Sequence, residues 1–97
     1  MLEPHQVNEI ALTVARKHLT ALDVQGVESE STVDSQGDEA VRITITLRSA
    51  SKIAESGGPL LDTLSEISTL LQKNGDSRFP IIEYAAEDEP AVDDSES

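Results

Sequence analysis

The sequence predicts a small α+β domain of order α-β-β-α-β, a three-stranded sheet with two helices packed on one face. Three observations carry that expectation. Val41 to Arg48 (VRITITLR) alternates apolar and polar residues over eight positions, the period of a half-buried strand. Pro59 to Lys73 repeats Leu60, Leu61, Leu64, Ile67 and Leu71 at helical spacing. The chain has 97 residues, enough for one core and no more.

Taken in order, Pro4 to Leu22 reads as the first helix, with Val7, Ile10, Ala11, Val14, His18, Ala21 and Leu22 recurring at spacings of three and four. Leu12 and Leu19 lie off that stripe; they either widen the core face or form a second line facing another subunit. His18, at the stripe's edge, is expected to be partly buried and hydrogen-bonded. Apolar parity changes at Gly26, which predicts a turn or bulge at Gln25 and Gly26 followed by a strand with Glu28, Glu30 and Thr32 outward. Asp34 to Asp38 (DSQGD) suits a three-residue hairpin loop with Gly37 in the left-handed region. That loop sets Val27 opposite Ile45 and Glu30 opposite Arg42. Ser49 to Gly58 reads as one short helical turn or a mobile loop. Pro59 opens the second helix and Asn74-Gly75 closes it. The last strand, Arg78 to Ala85 (RFPIIEYA), carries apolar residues on both parities, and Pro80 favours an edge or a strand's first residues. Its neighbour is either the first strand or the second. Residues 1–85 are thus expected to form a single domain, and residues 86–97 a disordered acidic tail.

Nineteen Asp and Glu against seven Lys and Arg leave a formal charge of −12. Residues 1–85 hold thirteen of the acids and all seven bases, so the expected domain is acidic without its tail. Nucleic-acid affinity comes largely from Lys and Arg on phosphates, so this balance argues against DNA or RNA and suits a basic protein partner or plain solubility. With no Cys there is no disulfide framework and no thiolate metal site. The chain has neither a basic region leading into an apolar run nor any stretch approaching the length of a membrane span, and the expected location is cytoplasmic.

Catalytic and cofactor motifs are missing: no Gly-x-Ser-x-Gly elbow, Walker loop, dinucleotide fingerprint, His-Glu-x-x-His or EF-hand loop occurs. No cofactor, metal site or enzymatic activity is expected. The Glu55-Ser56-Gly57-Gly58-Pro59 helix entry offers backbone amides to an anion, but Glu55 opposes one. The expected interaction surface is the sheet face away from the helices, bearing Arg42, Thr44, Thr46 and Arg48, with Ile82 and Tyr84 joining it if the last strand turns those residues outward.

The order of elements resembles that of KH-like domains in some ribosome-assembly factors, in which a short helix, a small-residue break and a longer helix precede the last strand. Across residues 4–85 that resemblance implies an RNA-binding or ribosome-associated module contacting its ligand through Arg42, Arg48, Lys52 and Arg78. Ser56-Gly57-Gly58-Pro59 departs from the Gly-x-x-Gly clamp of such domains. Three functions follow, in order of expectation: a non-enzymatic accessory domain for a protein partner, basic or a second copy of itself; a KH-like RNA-associated module; and a small-ligand-binding protein.

Overall fold

A computed structural model describes residues 2–49 and 57–87. Residues 50–56, within the expected short helix or loop, and residues 88–97, most of the expected tail, lie outside them. The order is α1 (Pro4–His18), β1 (Val24–Val33), β2 (Glu39–Leu47), α2 (Gly57–Lys73) and β3 (Phe79–Ala86), an α+β fold with a mixed three-stranded sheet in the order β1-β2-β3.

α1 starts where Pro4 supplies a preset φ and the Glu3 amide donates to the Gln6 side chain at 2.9 Å. It ends at His18, four residues short of the expected Leu22. Leu19 leaves the helical region at φ −113°, a 3-10 turn covers Thr20–Leu22, and Asp23 at φ 55° swings the chain into β1. The shortened end still serves the core, because it buries Leu19 and Leu22. Leu12 also packs against that core, so the off-stripe leucines widen the inward face.

β1 and β2 form the expected hairpin. The Asp34 amide donates to the Asp38 carbonyl at 2.9 Å, Gly37 adopts φ 85°, and the Asp34 carboxylate accepts from the Gln36 and Asp38 amides. Val27 faces Ile45, Glu30 faces Arg42, and a bulge lies between Val24 and Gly26. α2 begins two residues earlier than expected, at Gly57. It closes on Gly75, at φ 86°, with the Gly75 amide donating to Gln72 and the Asp76 amide to Leu71.

β3 runs parallel to β2 on the side away from β1, with α2 in the crossover. Val41, Ile43, Ile45 and Leu47 of β2 meet Val7, Ala11 and Val14 of α1 and Ile67 and Leu71 of α2 in one buried cluster. The core is closed at one end by polar groups. Asp76 and Arg78 are buried and paired, with Nη2 of Arg78 2.6 Å from Oδ2 of Asp76. Arg78 also donates to the Ser31 hydroxyl and the Leu2 carbonyl, while Asp76 accepts from the amides of Leu2 and Arg78. Hydrogen bonds from the Arg78 side chain hold the Asp76 carboxyl down at about 2, against the opposing effect of burial.

A carboxyl depressed on folding stabilises the fold above its unfolded range, near 3.8, and the gain is lost as pH falls towards 2. Asp76→Asn should therefore cost roughly 3 kcal/mol at neutral pH by stranding a buried guanidinium. In urea unfolding between pH 5 and 2, the variant should also show a shallower acid-side loss than the parent; identical acid limbs would assign that loss to other carboxylates.

Candidate protein-interaction site

The six residues expected to form one surface fall in different places. Arg42, Thr44 and Thr46 alternate with the buried residues of β2 and lie half-buried on the face away from the helices, with exposed Arg48 just past the strand. The parallel register sets Ile82 beside Ile43 and Tyr84 beside Ile45, so both turn to the helix side, where they pack against the core. This corrects their expected place beside Arg42: in-register neighbours in a sheet share a face. The β3 residues beside Arg42 and Thr44 are Ile81 and Glu83.

Both arginines of that surface are engaged within the chain. Arg42 Nη1 donates to Glu30 at 2.8 Å, and its Nε stands 3.5 Å from Glu83 without a hydrogen bond, which ties charges of all three strands together. Arg48 Nε donates to Asp23 at 2.9 Å. Of the four bases that the RNA-associated reading named, Arg78 is buried against Asp76 and Lys52 lies outside the described residues.

A different feature emerges where α2 meets β3. α1 packs against both β1 and α2, while α2 touches β3 over a short contact, which leaves a groove. Leu60, Leu61 and Leu64 of α2 line it with residues 79–82 and Tyr84 of β3, around about 340 Å³. Leu61 and Phe79 are 68% and 59% exposed. Sequence reasoning missed this groove, although its signal was present in the two-sided apolar parity of RFPIIEYA and the paired leucines at the start of α2.

The sheet's two edges differ correspondingly. β1 carries Glu28 and Glu30 outward and a bulge at its start, devices that discourage strand addition. β3 carries apolar side chains on both faces, with Pro80 as its second residue and Glu83 as its one charge.

Several ionisable groups outside this groove have structural partners. His18 Nε2 lies 2.6 Å from Glu66, which also accepts from Lys17, so the pair ties α1 to α2. The His18 hydrogen bond, then that of Lys17, holds the Glu66 carboxyl below its ordinary range. Among the described residues no group of three or more His, Asp or Glu is placed to hold a metal ion, and no helix is long and apolar enough to cross a membrane. A hollow of about 420 Å³ at the sheet end is bordered by Ser31 and Arg78, but the guanidinium there is satisfied by Asp76, Ser31 and Leu2. No protein-family model, curated protein or solved structure matches this chain.

The Tyr84 hydroxyl is buried without a hydrogen-bond partner, and burial pushes the phenol's pKa up. Tyr84→Phe removes that unpaired group and keeps the ring, so thermal unfolding should show a neutral change or a gain of about 1 kcal/mol. A loss above about 1 kcal/mol would mean that the hydroxyl is bonded in solution.

Proposed function

We propose that this chain is a non-enzymatic interaction domain that docks a polypeptide partner on the free edge of β3, with the first turns of α2 as one wall. The observation that carries this reading is the exposed apolar groove of Leu61, Phe79 and their neighbours in a chain of strongly acidic composition. Scattered exposed aliphatics are ordinary on a protein surface, but a contiguous set flanking an unpaired strand is a binding feature or an aggregation hazard. A chain kept soluble by a charge of −12 is protected from the second outcome, which favours the first. The missing Cys and nucleophile motifs support a role in binding rather than catalysis. The threonine and arginine ladder on the open face is a weaker docking surface, because a partner would first have to break the Arg42 and Arg48 ion pairs.

Photo-crosslinking in the native cell, with a benzophenone side chain replacing Leu61 or Phe79 and, as controls, Val33 or Thr44, tests this reading. A second polypeptide should attach at the first two positions and not at the controls. Once purified, that polypeptide should bind the parent and lose at least about tenfold in affinity to Leu61→Ser/Phe79→Ser, about 1.4 kcal/mol, with the circular dichroism of the variant unchanged. Adducts at the control positions alone, or full affinity in the double variant, would refute the docking edge.

A further inference from the structure

We infer that the partner segment is an extended strand with aliphatic side chains on one side and lysine or arginine on the other, added to β3 as a fourth strand. The inference rests on the docking edge proposed above and specifies what fills it. Among the described residues β3 is laddered to β2 alone, so the backbone groups on its other side have no partner within the sheet. Pro80 brings no N–H, which places the usable ladder beyond it, over residues 81–86.

The two faces of β3 ask for different side chains. On the helix side an incoming strand meets Ile82 and Tyr84 under Leu60, Leu61 and Leu64, an apolar wall suited to aliphatic residues. On the other side it runs beside Ile81 and Glu83. Glu83 is half exposed, and Arg42 approaches it only to 3.5 Å without a hydrogen bond, so the carboxylate keeps acceptor capacity. α2 and β3 contribute Asp62, Glu66 and Glu83, with Glu87 just past β3; the bases beside them are Lys73 at the far end of α2 and Arg78, which is buried against Asp76. Lys17 and His18 occupy Glu66, while Asp62 and Glu87 are exposed at the start of α2 and just past the end of β3. This charge complements a cationic strand and opposes a second copy, which would bring the same carboxylates and a further −12.

The test uses the full chain, labelled with nitrogen-15 and titrated at low salt with a capped peptide of about nine alternating valines and lysines, and with its glutamate counterpart. The lysine peptide should shift the amides of Leu61, Ile81, Ile82, Glu83 and Tyr84 while leaving Ile43 and Ile45 in place. Its binding should weaken as salt rises, and the glutamate peptide should not bind. Glu83→Gln and Asp62→Asn should each weaken binding by up to about fivefold, the range of exposed ion pairs. Equal binding of both peptides would overturn the cationic preference and leave the docking edge standing. Failure of both peptides to shift β3, or shifts confined to β1, would overturn strand addition; the crosslinks at Leu61 and Phe79 would then show independently whether the edge docks a partner of another shape. Dimerisation of the free chain in sedimentation, with β3 amides shifting as concentration rises, would identify a second copy as the occupant and overturn the inference.

Discussion

The buried pair of Asp76 and Arg78 is the constraint on which the placement of β3 depends. Buried ions are tolerated only when paired and hydrogen-bonded, and here the cluster draws on three parts of the chain: Leu2 ahead of α1, Ser31 on β1, and the two ions on the link between α2 and β3. The residue after Arg78 is the first of β3. Anchoring the guanidinium therefore fixes where the strand enters the sheet, with Phe79 beside Ala40 and Pro80 beside Val41. A one-residue slip would send Ile82 and Tyr84 to the open face and bring Glu83 under the helices, burying a carboxylate against Leu64 and its neighbours. The apolar interior tolerates little of that, so the polar cluster and the core enforce the same register.

Once β3 is placed, the charges of the sheet fall into order. Arg42 sits in the middle strand between Glu30 and Glu83, and the three form a row across the open face. Each exposed contact contributes well under about 1 kcal/mol, so the row adds little to stability. Its larger effect is chemical: it takes Arg42 out of competition for outside ligands. What remains available is the apolar margin between α2 and β3, where the helix sits too far towards α1 to cover the strand.

Features decided by local chemistry were legible in the sequence. The alternation of VRITITLR placed Val41, Ile43, Ile45 and Leu47 in the core, the Asp34 to Asp38 loop implied the pairings of Val27 with Ile45 and Glu30 with Arg42, and Asn74-Gly75 marked the end of α2. Features decided by distant partners were not. The segment RFPIIEYA offers apolar residues on both faces, so its parity depends on pairing with β2, which local pattern cannot express, and the surface expected from Ile82 and Tyr84 beside Arg42 was divided by that register. The end of α1 was misplaced for a related reason. Thr20, Ala21 and Leu22 continue the helical spacing, yet the chain has to turn at Asp23 to lay β1 beside β2. The groove depends on how far α2 stands from β3, a distance that no spacing in the sequence encodes.

The parallel pairing of β2 with β3 also carries a larger loop-closure cost than the hairpin. The hairpin closes over a short loop and forms from neighbours in sequence, whereas β3 reaches β2 only after the chain has travelled through α2, with a correspondingly larger loop-closure cost. Until β3 arrives, the most deeply buried strand of the finished domain has one naked margin. Arrival of β3 covers that margin and moves the exposed edge outward by one strand, from VRITITL to FPIIEYAA. The finished domain thus leaves on β3 the same kind of open margin that β2 would show without it.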